Sequence, residues 1–190
     1  IVVVKPEGLL SVATDYDKTY TLHNLLKRRF HTQRVYPVHR LDRETSGILV
    51  FAYTDAAREG LKDQFEAHTV QREYLALVEG ILDSDSGTWK SHLWEDPLYK
   101  VRTGRGQLAI THYSVVERRK TTTLLRLKLE TGRKNQIRVQ CAEAGHPVAG
   151  DDKYGAKTNP LGRLALHAEK LGFIHPLNHK TLLFQKSNSF

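Results

Sequence analysis

His39-Arg40-Leu41-Asp42-Arg43-Glu44-Thr45-Ser46-Gly47-Ile48-Leu49-Val50 decides how the rest of this chain is read. A carboxylate stands between two arginines, followed by a glycine and an apolar run to Tyr53 that reads as a buried strand. Asp42 is the only acid between Lys18 and Glu44, an interval that also holds Lys27, Arg28, Arg29, Arg34, Arg40 and Arg43. A lone carboxylate in a basic field is favoured in its charged form and is able to act as nucleophile or base. What such a field attracts is a polyphosphate backbone.

Upstream of this stretch, Leu22, Leu25, Leu26 and Phe30 recur at helical spacing, with Lys27, Arg28 and Arg29 on the other faces. Downstream, Thr54 offers an N-cap to a helix striped by Ala57, Leu61 and Phe65. Strands are expected at Tyr74 to Val78, stopped by Gly80, and at Leu108 to Val116 and Thr121 to Glu130. In the last of these, Leu125, Leu127 and Leu129 alternate with Arg126, Lys128 and Glu130, so one face is buried. Asn135 to Ala144 reads as a helix with Ile137, Cys141 and Ala144 inward and Gly145 as its stop. Leu164 to Leu171 fits helix or strand, and Lys180 to Gln185 reads as a closing strand. Ile1-Val2-Val3-Val4 is too short for a signal-peptide core and reads as a buried strand. Loops are expected at 83–87, 102–106 and 150–162. Strands outnumber helices and several are consecutive, which predicts an α+β fold around a large, mixed, mostly antiparallel sheet.

The 190 residues support one domain, with room for two lobes, and bury roughly 70% of the unfolded surface. Cys141 stands alone, so no intramolecular disulfide is possible and a reducing compartment, the cytoplasm, is expected. No apolar run of about 18 residues exists, so no membrane span is expected. The chain has no Met, which predicts a trimmed product that lacks an N-terminal segment. The net charge of +8 is clustered, with no acid from Pro97 to Val116 or from Thr131 to Ala142. That clustering favours a nucleic-acid partner over a merely solvated basic surface.

Several chemistries are excluded. His39-Arg40-Leu41-Asp42 lacks the kinase spacing, its downstream Asn and a DFG triplet. Gly104-Arg105-Gly106 has no third glycine at dinucleotide spacing. The ten histidines form no HExxH and no Cys/His pair, which argues against zinc. Thr45-Ser46-Gly47 lacks the earlier glycine of a nucleophile elbow.

Four segments, in order, resemble the RluA family of RNA pseudouridine synthases. They are His39 to Val50; Arg72-Glu73-Tyr74-Leu75-Ala76-Leu77-Val78-Glu79-Gly80; Thr131-Gly132-Arg133-Lys134-Asn135-Gln136-Ile137-Arg138-Val139; and Gly145-His146-Pro147 with Gly150-Asp151-Asp152-Lys153-Tyr154-Gly155. Leu164-Ala165-Leu166-His167-Ala168, Phe173-Ile174-His175-Pro176 and the opening Lys5-Pro6-Glu7-Gly8-Leu9 fit as well. One departure is Asn135, where the family usually has His; as an N-cap, Asn still hydrogen-bonds.

The resemblance implies that uridine in RNA, ribosomal or transfer, becomes pseudouridine, by a single catalytic domain with a central RNA-binding cleft, without metal or organic cofactor. It implies Asp42 as the catalytic carboxylate. Tyr74 then stacks on the extruded base and serves in proton transfer, and Arg138 pairs with the aspartate. Arg40, Arg43, Arg133 and Lys134 are the expected RNA contacts, and a monomer away from membranes is the expected form. Two alternatives are a non-catalytic RNA-binding protein on the same fold and an RNA hydrolase with Asp42 as base.

Overall fold

The computed structural model describes every residue except Tyr16, Asn188 and Ser189. Ten strands, three α-helices and one 3-10 turn occur among the described residues, an α+β fold as expected. Every strand pairing with a described register is antiparallel. By internal contacts the chain divides into two compact units, Ile1–Arg72 with Ala168–Ser187, and Glu73–His167 with Asn188–Phe190.

The first unit opens with β1 (Val2–Lys5), α1 (Leu22–Arg29), β2 (Tyr36–Pro37), β3 (Ser46–Ala52) and α2 (Asp55–Glu66). All seven residues of β3 are buried, as its unbroken apolar sequence requires. Strand β1 lies antiparallel to β3, Val2 opposite Val50 and Lys5 opposite Gly47. The expectation that Ile1 to Val4 is buried does not hold. Val4 is 50% exposed because β1 ends the strand order, and the residue that goes fully inside is Lys5. Helix α2 starts after Thr54 as expected, and α1 starts after a second threonine, Thr21, that the sequence reading did not single out. Thr21 Oγ1 accepts from Asn24 N at 3.2 Å, and Thr54 Oγ1 accepts from Ala57 N at 3.1 Å. The last turn of α1 carries Lys27, Arg28 and Arg29, which suit the negative end of its dipole. Leu61 of α2 packs with Ile48, Val50, Leu171 and Phe173.

The second unit holds most of β4 (Gln71–Glu79), then β5 (Ser86–Glu95), β6 (Val101–Thr103), β7 (Gln107–Arg118), β8 (Thr122–Leu129) and α3 (Gln136–Glu143). Its sheet runs β4-β8-β7-β5-β6. Tyr74 faces Leu127, and a bulge interrupts β7 between Val115 and Glu117. Leu125 and Leu127 are fully buried, so truncating either would cost about 2–5 kcal/mol. Gly145 (φ 82) ends α3 as expected, whereas Ala144 is exposed rather than inward. The loop expected at 102–106 is partly strand β6, and the 150–162 segment contains a 3-10 turn, Asp152–Tyr154. The ambiguous 164–171 stretch belongs to β9 (Leu166–Ile174), which pairs antiparallel with β10 (Thr181–Gln185) in the first unit.

Candidate active site

In the first unit, Asp42 begins a turn closed by Thr45 N donating to the Asp42 carbonyl at 3.2 Å, immediately before β3. The loop around it is clamped from both sides. Ser11 Oγ donates to the Leu41 carbonyl at 2.8 Å and accepts from Leu41 N at 3.1 Å, so one hydroxyl fixes both backbone groups before Asp42. On the other side the buried Lys5 ammonium donates to the carbonyls of Pro6, Leu9 and Arg43 at 2.7, 2.7 and 2.8 Å. Burial pushes the Lys5 pKa down to about 8, against the pull of Glu44, Asp42 and Glu7. Three donors meeting three carbonyls use every proton of the charged form. The result is a half-buried Asp42 on a backbone with little freedom.

His39 steadies the approach to this turn. Its Nε2 accepts from Val50 N at 3.2 Å, which leaves the ring proton on Nδ1. The ring stacks on Phe65 at 4.4 Å, and burial, aided by the Arg72 charge, pushes its pKa down to about 3. It is therefore a neutral structural group, not an acid or base. Gly47 (φ 121) lets β3 approach β9 closely, for a Cβ there would sit 2.3 Å from the Ala168 carbonyl oxygen.

In the second unit, α3 presents Arg138. Its Nε and Nη2 donate to Oδ2 and Oδ1 of Asp151, both at 2.7 Å, and its guanidinium carbon lies 5.2 Å from the centre of the Tyr154 ring. Beneath the helix runs a chain of amides. Gln136 Oε1 accepts from Thr131 Oγ1 and Arg133 N, and its Nε2 donates to Thr111 Oγ1 and the Ile110 carbonyl. Thr111 Oγ1 donates to Gln140 Oε1 at 2.6 Å, while Gln140 Nε2 donates to Ser91 Oγ and the Ala109 carbonyl. This network fixes α3 on β5 and β7. Asn135 occupies the N-cap position in the left-handed region (φ 52, ψ 19) but caps nothing. Its amide instead donates to the Tyr154 hydroxyl at 2.8 Å, so the capping role expected of it is corrected. Tyr74 is half-buried on β4 against the core of this unit.

The model of the family described as RNA pseudouridylate synthase matches residues 1–143. The dual-specificity RNA pseudouridine synthase RluA of Pasteurella multocida is 37% identical over the whole chain, which covers 90% of that protein. The chain belongs to the RluA family of RNA pseudouridine synthases. Another relative of this family, the RNA pseudouridine synthase YhcT of Bacillus subtilis, is 37% identical over 96% of the chain, and a ribosomal large subunit pseudouridine synthase D of Zymomonas mobilis is 36% identical over 97%. The chain spans 64% and 65% of the length of these two. Among solved structures, human RNA pseudouridylate synthase domain containing 1 superposes with a TM-score of 0.80 at 25% identity, over 98% of this chain and 80% of that one.

Within this RluA-family chain, the residues expected to meet RNA divide in two. Arg40 is exposed beside Asp42, and Arg43 is exposed but forms an ion pair with Asp17 at 3.1 Å. Arg133 Nε donates to the Leu108 carbonyl, and Lys134 pairs with Glu95; both line a groove with Trp94 and Gly106. Among the described residues, no cluster of His, Cys, Asp or Glu is fit to hold a metal ion. Among the described residues, no helix is long and apolar enough to cross a membrane. Cys141 is fully buried, and burial pushes its thiol pKa up, so it is chemically inert. Sequence reasoning missed Lys5, Ser11 and Asp151 as supports. Lys5 left a signal as a lysine closing an otherwise apolar strand, and Asp151 lay in a quoted motif without a role; Ser11 left none.

Proposed function

We propose that this chain isomerises uridine to pseudouridine in structured RNA, ribosomal or transfer, acting as a cytoplasmic monomer without metal or organic cofactor. The observation that carries the reading is the clamped turn that presents Asp42, at the position of the family's aspartate, between Ser11 and Lys5. The names of the relatives and the basic charge of the chain support it.

In this reading Asp42 is the catalytic carboxylate. The N1–C1′ glycosidic bond breaks, the held base turns, and a C5–C1′ bond forms; the hydrogen leaves C5 and N1 gains one, so the mass is unchanged. Tyr74 contributes a ring face for the flipped base and a hydroxyl for proton movement. Arg138, already oriented by Asp151, supplies fixed positive charge at the site. Arg40, Arg43, Arg133 and Lys134 contact phosphates.

The test is release of tritium from RNA labelled at uridine C5, together with intact-mass analysis. Tritium release without mass change is the expected result. Cleaved or hydrated RNA would make the protein a hydrolase. Salt-dependent RNA binding with no tritium release from total cellular RNA would make it a binding protein on the same fold.

A further inference from the structure

Strands β5 and β6 are joined by the hairpin loop Pro97-Leu98-Tyr99, whose backbone is held from several sides. Tyr99 N donates to the Asp96 carbonyl and Asp96 N to the Lys100 carbonyl, both at 2.9 Å. The buried Asp96 carboxylate accepts from Leu98 N and Lys100 N at 2.9 Å each, and from Arg102 Nε at 2.6 Å. Lys153 Nζ donates to the Tyr99 carbonyl at 2.9 Å. Val101 N donates to the Tyr154 hydroxyl at 3.2 Å, which ties the end of the loop to the ring beside Arg138.

Short hairpin loops of this kind end in the left-handed region, at a position that glycine fills by default. Tyr99 stands there instead, at φ 59. A bulky aromatic residue rarely accepts that conformation, and strain of this sort gathers at functional positions. The strain places a ring in the open: Leu98 is 83% exposed and Tyr99 63%. Exposed apolar residues scattered singly are ordinary on a protein surface. Two large ones side by side, at the tip of a stiff loop, are not. The surroundings of the tip are basic. Lys100, Arg102 and Arg105 stand in the stretch from Pro97 to Val116 that holds no acid. Arg105 Cζ lies 3.7 Å from the centre of the Trp94 ring, and Lys134 Nζ 6.0 Å from that of Tyr99. The two acids at the base of the loop, Glu95 and Asp96, are engaged by Lys134 and Arg102. An apolar tip in a basic collar is complementary to a polyanion with an apolar interior, which describes stacked bases between phosphates. Side chains such as leucine enter base steps in this way when a protein kinks nucleic acid.

We propose that Leu98 and Tyr99 form a wedge that enters between two stacked bases of the RNA, with Lys100, Arg102 and Arg105 meeting the flanking phosphates. The inference rests on the RNA reading above. A loop ordered in advance loses little conformational freedom on insertion, so more of the contact energy goes to opening the base step.

The test uses hairpin RNAs labelled with fluorescein, and the same hairpins carrying 2-aminopurine, a base whose fluorescence rises when it leaves the stack. Anisotropy gives the affinity over a series of potassium chloride concentrations, and urea unfolding gives the stability. Tyr99→Gly removes the ring and supplies the residue that suits the left-handed position, so its urea midpoint should match or exceed that of the wild type. Its RNA affinity should fall about tenfold, the scale of one lost base contact. Leu98→Ser should lose affinity to a similar extent with an unchanged midpoint, because that side chain is exposed. The slope of log affinity against log salt should keep its wild-type value in both, since no charge is removed. At saturating protein the wild type should raise the aminopurine fluorescence at one step of the RNA, and neither variant should. Wild-type affinity in both variants, an undiminished aminopurine signal in them, or a lowered urea midpoint in Tyr99→Gly would each overturn the wedge while leaving the RNA reading intact. A wild-type protein with no salt-dependent binding would overturn both.

Discussion

Arg138 and Asp151 form a two-pronged ion pair, Nε to Oδ2 and Nη2 to Oδ1 at 2.7 Å each, with the arginine side chain 11% exposed and the aspartate not at all. The guanidinium plane is therefore set by a residue outside the helix that carries it. Removing one member of such a buried pair leaves the charge of the other less compensated, at a cost of up to about 3–5 kcal/mol. Asp151→Ala and Arg138→Ala should each destabilise the protein by that order, and the double variant should recover part of the loss. Urea unfolding of the four proteins measures the coupling. Strictly additive losses would show that the pair is not acting as one unit.

Asp42→Asn keeps the shape of the side chain and removes its charge. The clamp by Ser11 and Lys5 acts on backbone atoms, so it survives the substitution. Tritium release from labelled RNA should vanish, while RNA affinity stays within about tenfold because the phosphate contacts are untouched. Full turnover by this variant would remove Asp42 from the chemistry.

The buried neutral ring of His39 makes stability acid-sensitive. Its folded pKa of about 3 lies below the ordinary value of 6.5, so the unfolded chain binds a proton in that window and the folded one does not. Stability contributed by this group is present above pH 6.5 and falls as pH drops toward 3, by roughly 1.4 kcal/mol per pH unit at most. His39→Gln retains an acceptor for Val50 N but does not titrate. Urea unfolding at about pH 7 and about pH 5 should show a smaller difference in the variant than in the wild type; equal differences would place the acid sensitivity elsewhere.

Gly47→Ala adds a Cβ 2.3 Å from the Ala168 carbonyl oxygen, at a φ of 121 that disfavours side chains. Backbone cannot yield as a flexible side chain does. The variant should lose upward of about 2 kcal/mol, measured as a fall in the urea midpoint with an unchanged slope. An unaltered midpoint would mean that the two strands separate without cost.

The sequence was most legible where one physical signal dominated. Strand β3 is an apolar run, α1 shows helical spacing of leucines, α2 starts at Thr54, and α3 stops at Gly145. Strand β5 went unseen because Ser86–Glu95 alternates exposed and half-buried positions and buries only Leu93. Its place comes from backbone pairing with β7, which leaves no hydrophobic trace. Asp42, Tyr74 and Arg138 were named from the order of their motifs, since no spacing rule distinguishes them from ordinary polar residues. Their supports depend on contacts far apart in sequence: Ser11 on Leu41, Lys5 on Arg43, and Tyr154 on Asn135. Asn135 shows the reverse failure, for a residue type suited to capping is diverted by a neighbour nineteen positions away.

The amide chain beneath α3 bears on how this protein is able to diverge. Gln136 and Gln140 each use both ends of the side chain, and Thr111 joins them. Replacing any one of the three strands a buried polar atom on another element. Accumulating changes singly at these positions is thus a passage through less stable proteins, and replacing all three at once by apolar residues still takes partners from Thr131, Arg133 N and Ser91. Grafting α3 onto the β5–β7 region of a relative should succeed only when the matching threonine and serine travel with it, so the helix and the two strands beneath it are inherited as one block.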